Sequence, residues 1–408
     1  MGKPKIRFKG YEDDWEQRKL GDNIIEYHEV TTENNQYPVL TSSRKGIFLQ
    51  TEYYSGNQVA SSDNTGYNVV PYGYFTYRHM SDDQIFYFNI NDIVENGIVS
   101  TLYPVFTTNI KIDSRYLQYQ LNYGREFAKF AILQKQGGSR TYMYLNKLKS
   151  LCLTMPKTIG EQKKISEYFM KLDHLITLHQ RKCEETKSLK KYMLQKMFPE
   201  NGKCVPEIRF SGFSDDWEQR KLGDLVDRVT RKNQDLVSEL PLTISAQYGL
   251  IDQNEFFDKR VASKDVSGYY LIENGEFAYN KSTSTGAPWG TIKRLDRYEN
   301  GVLSTLYIVF GIKENNHVDS DFLVSYYSTN LWHKGIHEIA AEGARNHGLL
   351  NIAPADFFET QMMIPQDIEE QKKIGKYFEE IERLITLHQH KCDELQKLKK
   401  FMLQNMFM

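Results

Sequence analysis

Two stretches of the chain, residues 161–198 and 370–407, place apolar side chains at alternating spacings of three and four. This pattern predicts two long helices, each with a coiled-coil seam. The predicted seam positions are Phe169, Leu172, Ile176, His179, Cys183, Met193, Phe378, Ile381, Ile385, His388, Cys392, Leu395 and Met402. Leucine also occupies neighbouring g positions and is expected to broaden the buried face. Those leucines are Leu175, Leu189, Leu384 and Leu398.

The segments that precede these helices have a different pattern. Short runs alternate apolar and polar residues, for example at 74–78, 276–280 and 304–310, and Gly, Asn and Asp separate the runs. Alternation with period two predicts strands, and the separating residues predict turns. Each segment is therefore expected to form an α+β globular domain.

The chain contains two copies of one sequence unit. The decapeptide DDWEQRKLGD occurs at residues 13–22 and again at 215–224. Between the matching segments the two copies diverge almost completely, so a constant frame carries a variable insert twice. This predicts pseudo-dimer symmetry within one chain. The matching segments are 6–22 with 208–224, 97–106 with 301–310, and 161–198 with 370–407.

The repeat suggests domain limits and a test of the symmetry. The first long helix ends at Phe198 and the second copy begins near Ile208, so these two points must be close. Two-fold symmetry then requires Phe407 to lie equally close to Ile6. The predicted domains are 1–157 and 201–366 for the globular parts, with 158–200 and 367–408 for the helices.

Length, cysteine count and net charge limit the classes of protein to which the chain can belong. A chain of 408 residues can form two domains that each bury a core. Four cysteines do not form a disulfide framework in a chain of this length, and no apolar run suits a membrane span, so a cytoplasmic protein is expected. The net charge of −1 is low for a protein that binds nucleic acid alone.

The charge is also unevenly distributed. The inserts at 23–158 and 225–365 carry +1 and −5, whereas the helices at 161–198 and 370–407 carry +4 and +2. Affinity for free DNA is therefore expected to be weak, because few counterions would be released on binding.

Four segments together resemble the specificity subunit of a type I restriction-modification enzyme. They are WEQRKLGD opening each repeat, stretches like GEFAYNKS and GVLSTLY within it, and EQKKI…LITLHQ…LKK.MLQ.MF closing it. The resemblance covers the whole chain, in order and in duplicate. It implies two target-recognition domains, each reading half of a bipartite DNA sequence, with the two helices packed antiparallel as a spacer.

The resemblance also implies partners. Two methyltransferase subunits would dock on the constant regions and recruit restriction subunits. The chain itself would be non-catalytic and without cofactor, and S-adenosylmethionine, ATP and Mg would be bound by the partners.

A search for catalytic groups agrees with this expectation. The adenine methyltransferase signature, a phosphate loop and a dinucleotide fingerprint are all absent from the sequence. Glu161 and Lys163, like Glu370 and Lys372, match the E-x-K spacing of many nucleases. Because these residues open helices, they are interpreted as favourable helix-start charges.

His179 with Cys183, and His388 with Cys392, share helix faces at a spacing of four. In an antiparallel pair the helix centres meet, so one alternative is a zinc site. The other is that these side chains fill core layers, and this second alternative is favoured, with no metal site expected.

The residues expected to read DNA lie in loops of the inserts, where Arg or Lys can contact guanine and Asn can contact adenine. Arg78 and Asn280 are equivalent positions with different chemistry, because the tyrosines that precede them, Tyr77 and Tyr279, align. The candidates are Arg44, Lys45, Arg78, His79, Arg140, Tyr142, Asn280, Lys281, Ser282, Thr283, Ser284, Arg345, Asn346 and His347.

A rival hypothesis is a non-catalytic protein-interaction scaffold whose coiled coil separates two binding domains. A scaffold does not explain why matched frames surround entirely different inserts. A DNA reader with two half-sites explains this pattern, because each insert would read a different sequence.

Overall fold

The chain divides into two compact units, one formed by residues 1–180 with 390–408 and the other by residues 181–389. Each long helix contributes one part of its length to each unit. A computed structural model describes the chain at residues 3–57, 59–135, 139–200, 202–245, 248–259, 261–284, 286–314, 318–340 and 348–407.

In the first unit, short strands and short helices precede a long helix. Its strands are β1 (Glu16–Lys19), β2 (Ile24–Tyr27), β3 (Leu40–Ser43), β4 (Gly46–Leu49), β5 (Asn68–Pro71), β6 (Phe75–Thr76), β7 (Met80–Ser81), β8 (Asn89–Ile90), β9 (Asn96–Val99), β10 (Val105–Thr108), β11 (Thr141–Tyr142) and β12 (Cys152–Met155). Its helices are a 3-10 turn (Leu20–Asp22), α1 (Gln50–Tyr53), α2 (Ser114–Tyr123), α3 (Arg125–Leu133), α4 (Leu145–Lys149) and α5 (Ile159–Lys196), of which α5 continues into the second unit.

The second unit repeats this order of elements. Its strands are β13 (Glu218–Lys221), β14 (Val226–Val229), β15 (Leu242–Ser245), β16 (Gly249–Asp252), β17 (Tyr270–Glu273), β18 (Phe277–Asn280), β19 (Thr291–Arg294), β20 (Asn300–Leu303), β21 (Ile308–Ile312) and β22 (Gln361–Ile364). Its helices are α6 (Leu222–Leu225), α7 (Gln253–Phe257), α8 (Ser320–Tyr326), α9 (His333–Ile339), α10 (Pro354–Phe358) and α11 (Ile368–Met406), of which α11 continues into the first unit.

Matching strands pair in the same way in both units. The four-stranded sheets have the orders β2-β10-β6-β8 and β14-β21-β18-β19, with antiparallel neighbours. At the centre of each sheet two phenylalanines stack, Phe75 on Phe106 at 4.7 Å and Phe277 on Phe310 at 5.3 Å between ring centroids. These pairs set the two inserts in one register, so Arg78 and Asn280 occupy equivalent positions after β6 and within β18.

The start of each repeat is tied to the end of a long helix. In the first unit the amide of Ile6 donates to the carbonyl of Asn405 at 3.0 Å. In the second unit the amide of Ile208 donates to the carbonyl of Lys196 at 2.8 Å. Each bond satisfies one of the carbonyls that a helix leaves unpaired at its C-terminus. The prediction that the chain end lies as close to Ile6 as the first helix end lies to Ile208 is confirmed.

The Glu-Gln pair at the start of each long helix is buried and anchors the frame. Glu161 and Glu370 are each 1% exposed. Glu161 receives Arg7 Nε at 2.6 Å and Arg7 Nη2 at 2.8 Å, and Glu370 receives the same two donors of Arg209 at 2.7 and 2.8 Å. The glutamate of each E-x-K motif is therefore engaged in a structural ion pair with an arginine.

The adjacent glutamine joins the helix to the globular part. The side-chain nitrogen of Gln162 donates to the Pro156 carbonyl at 3.0 Å, and its oxygen accepts the Asp113 amide at 2.9 Å. Gln371 makes the equivalent two bonds in the second unit, each at 2.9 Å. The repeated sequence EQ thus encodes a repeated set of contacts.

The two long helices run antiparallel within the first unit. Phe169 stacks on Phe407 at 5.7 Å, and further along α5 Asp173 receives Lys399 Nζ at 2.5 Å. Residue numbers therefore rise on one helix as they fall on the other.

The second unit shows the same antiparallel order. Phe198 packs on Phe378 at 6.0 Å, and Lys190 Nζ donates to Glu382 at 2.6 Å. The predicted α+β fold class, with two similar globular domains and two long antiparallel helices, is confirmed. The exact domain limits at 157, 200 and 366 stay predictions.

Burial along the helices follows the a and d positions of the heptad. Side chains at seam positions that are buried are Phe169, Leu172, Ile176, Cys183, Phe378, Ile381, Ile385, Cys392 and Leu395. Those that are half-buried are His179, Met193, His388 and Met402.

The prediction that the g-position leucines broaden the buried face is wrong. Leu175, Leu189, Leu384 and Leu398 are 39, 47, 40 and 42% exposed. A two-helix contact buries mainly the a and d positions, and the adjoining globular parts leave these leucines open.

Candidate nucleic-acid interface

Two antiparallel strand pairings position the predicted loops of the first unit. Arg44 and Lys45 form the turn between β3 and β4, and both are exposed. Strand β11 pairs with β7, so Thr141 lies opposite Ser81 and Tyr142 opposite Met80. Residues 140–142 therefore lie directly beside 78–81.

Two adjacent aspartates connect these loops. Arg44 Nη2 donates to Asp83 Oδ1 at 2.5 Å, and Arg140 Nε donates to Asp82 Oδ1 at 2.9 Å. Ser81 Oγ also donates to Asp83 Oδ1, at 2.8 Å. The hydrogen bond from Arg44, followed by that from Ser81, lowers the pKa of Asp83 to about 2. Arg44 and Arg140, both predicted from the sequence to read DNA, are thus held by carboxylates.

An aromatic cluster lies next to these pairs. The ring of His79 stacks on Tyr144 at 4.9 Å and lies 6.0 Å from Tyr142, and the two tyrosines stack at 5.9 Å. His79 is buried and bonds through Nδ1 to the carbonyl of Leu102. The tyrosines are 38 and 48% exposed. They present π faces and hydroxyl groups at the surface, both of which can contact nucleic acid.

Arg78 lies at the same edge, exposed and near Tyr103. Burial raises the pKa of the Tyr103 phenol, and the positive charge of Arg78 partly opposes that shift. Arg78 therefore presents a cation beside a phenol that stays protonated.

The second unit builds the equivalent edge from different side chains. Ser282 and Leu349 form an isolated antiparallel bridge, and the amide of Thr283 donates to the Gly348 carbonyl at 2.7 Å. This pairing corresponds to β7 with β11 in the first unit. The side-chain oxygen of Asn280 accepts the Ser282 amide at 3.0 Å, which fixes the start of the loop.

Polar groups of this second edge face the surface. Ser282 and Ser284 are exposed, whereas Lys281 is half-buried and near Arg228. Burial and, secondly, the Arg228 charge lower the pKa of Lys281. The remaining predicted residues, Arg345, Asn346 and His347, lie outside the described residues.

One part of this architecture matches a known family. A family model described as type I restriction modification DNA specificity domain matches residues 214–397. That stretch is the second of two copies of one unit, and the first copy repeats its frame residues and its Arg–Glu pair. The matched stretch is therefore similar to the type I restriction-modification specificity domains. No curated protein matches the chain in a sequence search.

The fold of this chain is similar to that of one solved structure, and a second solved structure is less similar. The S subunit of a type I restriction-modification system from M. genitalium has a TM-score of 0.62 at 13% identity, covering 100% of this chain and 99% of that one. The HsdS subunit from Thermoanaerobacter tengcongensis has a TM-score of 0.42 at 14% identity, covering 97% of each chain.

Sequence reasoning missed several residues at these two edges. Asp82 and Asp83 lie outside the sequence prediction, although they are only a few residues beyond Arg78 and His79. Tyr144 was missed too, although it continues the alternation begun by Tyr142. Arg228 lies far from the selected loops in sequence, and only the fold brings it near Lys281.

In the two long helices Cys183 and Cys392 are buried, and His179 and His388 are half-buried. In the part of the chain that the structure describes, no group of three or more His, Cys, Asp or Glu side chains could hold a metal ion. The Cys183 thiol lies 3.9 Å from the Ile385 carbonyl, and Cys392 accepts Gln396 Nε2 at 3.4 Å. Both thiols are buried in their own units.

Within the same described ranges, no helix is long and apolar enough to cross a membrane.

Proposed function

We propose that this chain reads a bipartite DNA sequence, one half-site for each unit, and assembles two methyltransferase subunits around it. The observation that carries this proposal is the contrast between frame and insert. The ion pair that anchors the frame is repeated, as Arg7 with Glu161 and as Arg209 with Glu370. The loops at equivalent edges differ in chemistry, as a reader of two unlike half-sites requires.

The side chains at each edge suit different bases. In the first unit Arg44 and Arg140 offer the planar donors that pair with guanine O6 and N7. In the second unit the Asn280 amide and the serine hydroxyls offer donors and acceptors suited to adenine or to mixed contacts. The two half-sites are therefore expected to differ, with guanine more prominent in the one read by the first unit.

The long helices suit two copies of one partner. Each carries an exposed apolar stripe at helical spacing, and the two stripes are equivalent under the repeat. In the part of α5 that lies in the second unit the stripe includes Leu189 and Tyr192, and in the part of α11 that lies in the first unit it includes Leu398 and Phe401, all 42–54% exposed. Duplicated apolar surface of this kind marks protein-binding sites. We assign it to the two methyltransferase subunits, through which restriction subunits would join.

Chemistry in this complex is assigned to the partners. The specificity subunit would be non-catalytic, and the partners would bind S-adenosylmethionine, ATP and Mg. They would also contribute backbone contacts, because a chain with net charge −1 releases few counterions by itself.

The test is reconstitution with the methyltransferase subunit, followed by mapping of methylated adenines. The full complex should methylate one bipartite motif, and omission of the specificity subunit should abolish the motif. Methylation that is independent of this chain, or confined to a continuous short site, would contradict the proposal. Binding of protein partners without sequence-specific DNA binding would favour the scaffold alternative.

A further inference from the structure

Adjacent aspartates hold two arginines that come from distant parts of the first unit. Asp83 receives Arg44 from the β3–β4 turn at 2.5 Å, and Asp82 receives Arg140 from the segment before β11 at 2.9 Å. A single dipeptide thus fixes two of the three arginines of this unit that are predicted to read bases.

Asp83 is itself anchored to the sheet. The same oxygen that binds Arg44 accepts Ser81 Oγ at 2.8 Å and the Ile85 amide at 3.2 Å. Ser81 belongs to β7 and lies opposite Thr141 of β11. The Arg44 guanidinium is therefore connected through Asp83 to paired strands rather than to a free loop.

Neither stability nor DNA affinity accounts for these pairs. The side chains of Arg44 and Asp83 are 56 and 45% exposed, and exposed ion pairs contribute little to folding. Carboxylates at a DNA-binding edge also weaken general affinity, because they repel phosphates. Orientation does account for them, since a carboxylate on one edge of a guanidinium leaves other N–H donors directed outward.

Resting on the function proposed above, we propose that Asp83 and Asp82 are specificity-determining positioning residues that orient Arg44 and Arg140 toward guanines of one half-site. Arg44 binds Asp83 through Nη2, and Arg140 binds Asp82 through Nε. Each arginine therefore keeps donors for guanine O6 and N7.

The second unit does not repeat this device. Counting from the equivalent tyrosines Tyr77 and Tyr279, Ser284 stands where the first unit has Asp82, and a threonine follows it. Loss of the aspartates should therefore affect only the half-site read by the first unit. The unchanged half-site then serves as an internal control in every measurement.

The experiment compares Asp83→Asn, Asp82→Asn and wild type in the reconstituted methyltransferase complex. Its substrate is a duplex library in which each base pair of the wild-type motif is varied singly. The matched control is Asp92→Asn, which removes a carboxylate from an Arg–Asp pair of the same unit, made with Arg115 at 2.8 Å. Binding and methylation rates are measured for every duplex, with circular dichroism to check folding.

Asp83→Asn should lower discrimination for guanine at one base pair of one half-site by about ten-fold, within the range of a bidentate contact. Arg44→Ala should relax the same base pair, and Asp83→Asn should add nothing in that background. Asp82→Asn should relax a different base pair of the same half-site.

Two outcomes would overturn the inference while leaving the proposed function intact. One is a wild-type bipartite motif that Asp83→Asn and Asp82→Asn leave unchanged. The other is a uniform rise in affinity for all duplexes, equal to that of Asp92→Asn, which reports only the lost negative charge. A wild-type complex without any bipartite motif would instead refute the proposed function, and this inference with it.

Discussion

Replacement of Arg7 by Met should destabilise the first unit strongly, although Arg7 is not among the residues predicted to read DNA. Its guanidinium forms two bonds to the buried Glu161 carboxylate, at 2.6 and 2.8 Å. Trp15 Nε1 adds a third, weaker bond at 3.3 Å. Methionine keeps most of the side-chain volume but leaves the carboxylate with the tryptophan alone.

The magnitude follows from burial. Removing one partner of a buried ion pair costs about 3–5 kcal/mol, because the remaining charge is uncompensated. The remaining Trp15 bond places Arg7→Met at the lower end, about 3 kcal/mol. In the second unit, among the described residues, Trp217 Nε1 has no hydrogen-bond partner, so Arg209→Met should cost nearer to about 5 kcal/mol.

The assay is thermal unfolding of the full chain together with hydrogen exchange resolved by peptide. A loss of 3–5 kcal/mol in a unit of this size lowers Tm by about 6–20 °C. Arg7→Met should accelerate exchange at the start of α5, and Arg209→Met at the start of α11. The matched control is Arg383→Met, whose pair with Glu380 is exposed and should cost less than about 1 kcal/mol.

A second variant separates charge from packing. Adding Glu161→Gln to Arg7→Met removes the uncompensated charge and should restore part of the lost stability. The reasoning is refuted if Arg7→Met is no worse than Arg383→Met, or if the double variant is less stable than the single one.

Three further predictions concern the stripe, the chain ends and a titration. Leu189→Asp and Leu398→Asp should each abolish binding of one methyltransferase subunit, measured by analytical ultracentrifugation, without changing Tm by more than a few degrees. The control is Ile132→Asp on α3, at a leucine-sized apolar residue that is more exposed, and equal losses of binding from all three variants would contradict the assignment. A circular permutant that joins Phe407 to Ile6 and opens the chain between Gly202 and Lys203 should still assemble. The reason is that both long helices end with the same backbone bond to the start of a repeat. An insoluble permutant would count against this prediction. Asp83 should titrate by NMR with a pKa of about 2, and the pKa should return toward its ordinary value in Arg44→Ala. Because the folded-state pKa is depressed, the small contribution of Asp83 to stability is present above about pH 4 and is lost as pH falls toward 2. An unshifted pKa of Asp83 in the wild type would disprove the pair.

The helices and the repeat could be predicted from the sequence because both depend on local periodicity or on identity of letters. Heptad spacing placed Phe169 and Ile385 in buried layers. It failed for Leu175 and Leu398, since apolar character does not say whether a position faces its helix neighbour or an external partner.

Contacts between distant segments could not be predicted. Glu161 was interpreted through the local helix dipole, but its partner Arg7 lies 154 positions away. The prediction of DNA-reading residues rests on side chains suited to base contacts, so the carboxylate of Asp83 falls outside it. Only the fold reveals that this carboxylate binds an arginine from another turn.

The central claim is that each unit reads its own half of the target independently. The measurement that tests it most directly is adenine-methylation mapping of the complex carrying Asn280→Arg, which gives the second unit the residue found at the equivalent position of the first. One half of the methylated motif should change, while the other half and the spacing between them stay the same. A motif altered in both halves, or in neither, would contradict the claim.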